Sequence, residues 1–223
     1  MAKRVKLKTG DIFSIEATEH EFVFGRVLFD PDEQYLNKIP KEEQFSYLDF
    51  FGGCVLIETY IGVFPSFENI DIKKTGIKGN FVSKKMFKRE DVKIIDNQPV
   101  NPKEVSFPEV ISTYNSNYYF TVGELKIPIT ITSDEYKEIH VYPAYGSGYW
   151  ELVATLVWSG RKDLVKEEKI KDNTVDVSYY FTAEDLKFSP EKRNKIYAML
   201  HENPNQSYYE MALKSGFDLT RLY

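Results

Sequence analysis

Two strand-like runs near the start of the chain, Gly10-Asp11-Ile12-Phe13-Ser14-Ile15 and Phe22-Val23-Phe24-Gly25-Arg26-Val27-Leu28, each set one charged residue among apolar neighbours. Thr18-Glu19-His20-Glu21 between them reads as a turn, so the segment predicts an antiparallel hairpin over residues 11–17 and 22–29. Alternate side chains of a strand share a face. Asp11, Phe13 and Ile15 therefore lie on one side of the first strand, and Phe22, Phe24, Arg26 and Leu28 on one side of the second. If the two aromatic rows meet, Asp11 and Arg26 share that face as opposite or diagonal neighbours. A slip of one residue would instead send the apolar rows to opposite faces. The expected role of the pair is structural, an ion pair that fixes register more than it adds stability. The alternative is that Arg26 serves a partner. Gly10 fits a turn before the first strand, and Gly25 a bulge or a close approach.

Asp30-Pro31-Asp32-Glu33 ends the second strand, because proline withholds a ladder hydrogen bond. A polar, aromatic-studded stretch follows to Phe51, and Gly52-Gly53 separates it from residues 54–64, whose β-branched and aromatic content predicts a long buried strand. One or two shorter strands are expected within 81–95. Strands so placed point to an N-terminal SH3-like or partly open β-barrel over residues 1–100. Gln98-Pro99-Val100-Asn101-Pro102 is the best linker candidate. Residues 101–223 read as a second β-rich segment, with strands at 118–132, 138–145, 151–159 and 174–181 and Pro128 marking an edge position or a bulge. Two C-terminal helices close the chain. Ser189-Pro190-Glu191 supplies the cap, first-position proline and first-turn acid of one helix, which Asn203-Pro204-Asn205 stops. Tyr208, Met211, Ala212 and Leu213 mark the second, which Gly216 ends. The expected class is α+β, mainly β, with the two parts packed either separately or as one unit.

Aromatic residues make up 15% of the 223, which favours strands, and a net charge of -5 argues against a generic polyanion binder. Cys54 is the sole cysteine, so no internal disulfide forms. The basic start lacks the apolar run of a secretory signal and no run of apolar residues is long enough to span a bilayer, so the expected setting is cytoplasmic with no membrane contact. His20, His140 and His201 are isolated from one another, and no cofactor or metal site is expected. The sequence lacks a GxSxG elbow, a GxxxxGK[ST] loop and a GxGxxG fingerprint, and Gly146-Ser147-Gly148 reads as a turn. No catalytic residues are nominated.

Two surface constellations remain. Lys73, Lys74, Lys78, Lys84, Lys85, Lys88 and Arg89 crowd a stretch without acids, interleaved with aromatics, as a nucleic-acid-binding face would be. A solvated loop and an edge strand protected by lysines is the simpler reading. The other is the acidic, tyrosine-bearing loop after the hairpin, with Asp32, Glu33, Tyr35, Glu42, Glu43 and Tyr47, where rings would anchor a protein partner and acids would steer a basic one. The C-terminal helices imitate a helix-turn-helix, but residues 208–213 carry Glu210 and no Lys or Arg, which does not suit a DNA reader.

The pattern Lys8-x-Gly10-Asp11-Ile12-Phe13-x-Ile15, a short gap, then Phe24-Gly25-Arg26-Val27-Leu28 resembles the start of the immunity protein 26 family of bacterial polymorphic toxin systems. The resemblance is clearest over residues 5–30 and extends to about 95; the chain beyond about 105 lies outside it. It implies a small β-rich protein that neutralises a cognate protein toxin by binding it, without catalysis. A nucleic-acid-binding module using residues 73–89 is the alternative.

Overall fold

The computed structural model describes residues 7–44, 47–165 and 177–223. The strand-forming runs read near the start of the chain build β1 (Asp11–Thr18), β2 (Glu21–Phe29), β3 (Cys54–Thr59), β4 (Asn80–Ser83) and β5 (Val92–Asn97). They make a five-stranded antiparallel sheet in the order β4-β3-β2-β1-β5, so that the last strand returns to the first. A second antiparallel sheet holds β6 (Glu109–Tyr114), β7 (Asn117–Val122) and β8 (Leu125–Ile129) in sequence order. Both sheets are open. Four α-helices complete the α+β fold among the described residues: α1 (Ser133–Ile139), α2 (Tyr149–Trp158), α3 (Pro190–Leu200) and α4 (Tyr208–Lys214).

The chain divides into two compact units, and each is discontinuous. The first comprises Met1–Asp30, Gly53–Val100 and Gly146–Val177; the second comprises Pro31–Gly52, Asn101–Tyr145 and Ser178–Tyr223. One crossing falls in the linker read from the sequence. A single cut at residue 100 does not separate the units, because 31–52 joins the later residues and 146–177 the earlier ones.

In the first unit Ile12 faces Arg26, Phe13 faces Gly25 and Ser14 faces Phe24. This is the register displaced by one residue from the expected one. Asp11 shares its face with Phe13 and Ile15, Arg26 shares the other with Ile12 and Phe24, and the expected Asp11–Arg26 pair does not form. Asp11 instead accepts hydrogen bonds from the Lys8 backbone N–H and the Asn97 side chain, each at 2.8 Å. Arg26 turns to Glu58, its direct neighbour on β3, with Nη2 at 2.7 Å from Oε1. The physical reason is that both faces of the sheet are covered. Phe13, Ile15 and Val27 on one side are fully buried, and so are Ile12 and Phe24, at 0% and 3% exposure, on the other. With no wet face, apolar rows can lie on both sides and alternation does not choose the register.

Helix α2 lies against the face of Phe13. Leu152 packs on the cluster of Phe13, Ile15, Val27, Val55, Ile57 and Val82, Thr155 shares a 2.7 Å hydrogen bond with Thr59, and Asn80 donates to Glu151 at 2.9 Å. The strand expected at 151–159 is therefore a helix. Its run of Leu, Val, Ala and Trp is apolar on most sides because Glu151, Val153, Ala154, Thr155 and Leu156 are all buried, and a short run of that kind carries no period to separate helix from strand. Gly148, at φ +86°, opens it.

In the second unit the expected strand 118–132 is a hairpin, β7 and β8 joined through Gly123 at φ +54°. Pro128 lies in the edge strand β8, where its missing N–H costs no ladder bond. The expected strand 138–145 is the end of α1 and an irregular segment. Thr132 and Glu135 form a capping box for that helix, and left-handed His140 ends it. Of the strand expected at 174–181, residues 174–176 lie outside the described residues, and Val177–Phe181 form a 3-10 helix. Helices α3 and α4 stand where the sequence puts them, with Pro190 in the first turn of α3 and Ser207 and Glu210 boxing the start of α4.

Gly25 is indispensable to the register. A Cβ there would lie 2.4 Å from both the Glu58 carbonyl oxygen and the Phe13 ring. Gly25→Ala is expected to lower unfolding free energy by roughly 1–3 kcal/mol, read as a fall in the urea midpoint. A second test concerns Arg161, after α2, which bonds Glu21 of the hairpin at 2.8 Å and Asp163 at 3.2 Å. These hydrogen bonds hold both carboxyls below their ordinary values of 4.5 and 3.8. Such a contribution is complete above the unfolded pKa and is lost as pH falls through the folded one. Stability of Arg161→Gln, followed by denaturant titration from pH 6 downward (roughly to pH 3), should fall less steeply than that of the parent.

Candidate functional site

The buried charges show first what the interior is built to do. Glu58, Glu109 and Glu124 are 8%, 5% and 6% exposed, and each meets an arginine. In the first unit Glu58 Oε1 accepts from Arg26 Nε and from the Tyr60 hydroxyl, both at 2.9 Å. In the second, Glu109 at the start of β6 takes Arg193 Nε at 2.6 Å, Nη2 at 2.8 Å and the Tyr197 hydroxyl at 2.9 Å. The guanidinium lies 4.6 Å from the Tyr197 ring centre. Glu124, in the turn after β7, accepts from Arg221 Nη1 at 2.9 Å and Nη2 at 2.5 Å. Burial, then the adjacent carboxylate, pushes the Tyr60 and Tyr197 hydroxyls far above the usual phenol range. Carboxylates bound by forked guanidinium and phenol donors are committed to internal partners.

A cavity of about 140 Å³ opens in the second unit, lined by Ser106, Phe107, Glu109, Lys187, Arg193 and Tyr197 among others. Its cations are engaged. Lys187 Nζ donates to Ser106 Oγ at 2.7 Å and the Phe107 carbonyl at 2.9 Å, and lies 3.2 Å from Asp185. Burial raises the Asp185 carboxyl above its ordinary range.

The acidic loop is the connection between β2 and β3. Asp32–Leu36 forms one π-helical turn, and Lys41–Glu43 and Tyr47–Phe51 form 3-10 turns. Glu33, Glu42 and Glu43 are exposed and Asp32 is half-buried. Tyr35 and Tyr47, the expected ring anchors, are 2% and 7% exposed. The Tyr47 hydroxyl donates to the Pro108 carbonyl at 2.7 Å and its ring meets Phe51 edge-on, so these tyrosines fill the second unit's core. Among the described residues this segment presents the ring of Phe50 to solvent, 54% exposed, with its centre 6.1 Å from that of Tyr145, 51% exposed. Sequence reasoning missed both. The run Tyr47-Leu48-Asp49-Phe50-Phe51 holds more rings than one side of a short turn can bury, a usable signal for Phe50; Tyr145 is brought in only by tertiary folding.

The basic stretch is divided by β4. Lys73, Lys74 and Lys78 precede the strand, whereas Lys84, Lys85, Lys88 and Arg89 follow it, about 13 Å further along four extended residues. Lys84 pairs with Asp30 at 2.6 Å, and Arg89 donates through Nε to Asp91 at 2.9 Å. Lys73, Lys78, Lys85 and Lys88 point to solvent. Of the remaining nominated residues, Gly10 adopts φ +91° in the turn before β1, and Phe13 meets Phe87 edge-on in the core. Cys54 is buried in β3.

Among the described residues no group of three His, Cys, Asp or Glu side chains could hold a metal ion, and no helix is long and apolar enough to cross a membrane. No protein-family model, curated protein or solved structure matches this chain.

Removing one partner of a buried pair strands the other charge. Arg193→Ala is expected to destabilise the protein by about 3–5 kcal/mol. Tyr197→Phe, which deletes one donor to the same carboxylate, should cost only about 1 kcal/mol. Equal losses in the two denaturation curves would contradict the assignment of Glu109 as an arginine-dependent site.

Proposed function

We propose that the protein is an immunity protein, cytoplasmic and antitoxin-like, that neutralises a bacterial protein toxin by direct binding and without catalysis. The observation that carries this reading is the division of labour between the first hairpin and the connection that follows it. The motif residues Gly10, Asp11, Phe13, Gly25 and Arg26 are framework, buried or bonded inside the sheet, while the long connection that leaves β2 carries Glu33, Glu42 and Glu43 in solvent. An exposed acidic loop suits electrostatic steering of a basic partner. The strand order, with β5 returning to β1, supports a curled, SH3-like sheet as the scaffold. Nucleic-acid binding through residues 73–89 is the less favoured reading, because β4 divides the cations and internal acids engage Lys84 and Arg89.

The test is co-expression with the protein encoded next to this one. The expected result is a stable complex on co-purification and rescue of growth when that neighbour is toxic. Absence of a complex, together with binding to mixed oligonucleotides that weakens steeply as salt rises, would favour the alternative.

A further inference from the structure

The partner-binding reading leaves open which residues grip the partner, because Tyr35 and Tyr47 are buried. The second unit holds two tyrosines of another kind. Buried Tyr47, Tyr197 and Tyr208 each bond through the hydroxyl, to the Pro108 carbonyl, Glu109 and the Glu124 N–H. The hydroxyls of Tyr114 and Tyr119 have no hydrogen-bond partner among the described residues. Tyr114 pairs with Asn117 across the two-residue turn Asn115-Ser116, whose left-handed residues close β6 onto β7. In that register Tyr114, Tyr119, Lys126 and Pro128 share one face of the three-stranded sheet, and buried Ile111, Phe120 and Leu125 share the other. The wet side of such a sheet ordinarily carries polar residues. Here it carries rings: Tyr114 is 59% exposed, Pro128 is exposed, and Tyr119 is half-buried. The Lys126 ammonium sits between them, 4.5 Å from the Tyr114 ring centre and 4.7 Å from that of Tyr119. It makes no hydrogen bond or ion pair among the described residues. Its charge reaches the Asp49 carboxyl, yet partial desolvation outweighs it and leaves that carboxyl above its ordinary range.

We infer that Tyr114, Tyr119 and Lys126 form a contact face for a partner protein: Lys126 takes an aspartate or glutamate carboxylate of the partner, and the two rings take the apolar side chains around it. The inference rests on the protein-binding reading and gives it a contact face. The ammonium selects the occupant, because a cation with unmet donors gains most from a charge-assisted bond to an anion. Held between two rings before binding, it also loses little freedom when that bond forms. The anion is a protein carboxylate and not a phosphate backbone, since acids outnumber lysines and arginines in this unit and such backbones are held by many cations. A basic partner is drawn in by that excess, and its matching carboxylate fixes where it docks.

The probe is the protein encoded by the adjacent gene, titrated calorimetrically against the full chain. Tyr114→Ser/Tyr119→Ser should weaken binding at least about tenfold, as loss of aromatic anchors does. Lys126→Glu should weaken it at least as much, whereas Lys126→Arg, which keeps the charge, should stay within about threefold of the parent. None of the three side chains is buried, and matching thermal melts would show that the variants fold. Binding by either the double ring variant or Lys126→Glu within about twofold of the parent would overturn the face while leaving the immunity reading intact. Capture of mixed single-stranded oligonucleotides by the parent, lost in Lys126→Glu, would assign the face to nucleic acid and overturn the inference. Failure of the parent chain to bind the adjacent-gene protein would overturn both readings.

Discussion

A carboxylate removed from water must bring its own cation, and in this protein that requirement decides which distant parts of the chain belong together. Isolated burial of such a charge costs several kcal/mol, so a strand that carries one inward can settle only beside its donor. Glu109 opens β6 and finds Arg193 on α3; Glu124 follows β7 and finds Arg221 close to the last residue. Helix α3 and the turn after α4 are thereby fastened to the three-stranded sheet by charge as well as by packing, while α4 reaches it through the Tyr208 hydroxyl, which accepts from the Glu124 N–H. Arg26 and Glu58 do the same between neighbouring strands of the larger sheet, with Tyr60 completing the carboxylate's bonds.

What the sequence reveals follows the range of the interactions involved. Helices α3 and α4 were legible because their signals are local: Pro190 in the first turn of α3, though Ser189 makes no side-chain cap bond, and the apolar spacing of Tyr208, Met211 and Ala212 in α4, which the Ser207–Glu210 box also starts. The hairpin of β1 and β2 was legible for the same reason. Its register was not, since the choice between two faces disappears once both are covered. Helix α2 was hidden by its own burial, and β6 by an ordinary-looking Glu-Val-Ile-Ser-Thr-Tyr whose decisive partner lies far along the chain. At the surface, acids could be placed from sequence but rings could not. Tyr35 and Tyr47 went inward, and Phe50 came outward to meet Tyr145.

The resulting surface has a consistent logic. Cations of the basic stretch are partly matched from within, by Asp30 and Asp91, whereas the exposed acids of the β2–β3 connection face water. The motif residues that mark the resemblance contribute no obvious contact surface. They hold the strands from which that connection departs.

The discontinuity of the first unit also orders its assembly in time. Its five strands are complete once Asn97 has been synthesised, yet the helix that covers the face of Phe13, Val55 and Val82 ends only at Trp158. At about 5–20 residues per second the ribosome needs roughly 3–12 s to cross that interval. Throughout it, an apolar sheet face waits for its cover while the second unit's three strands are made. Growing chains are thus at their stickiest within that interval, and chaperone demand is greatest there.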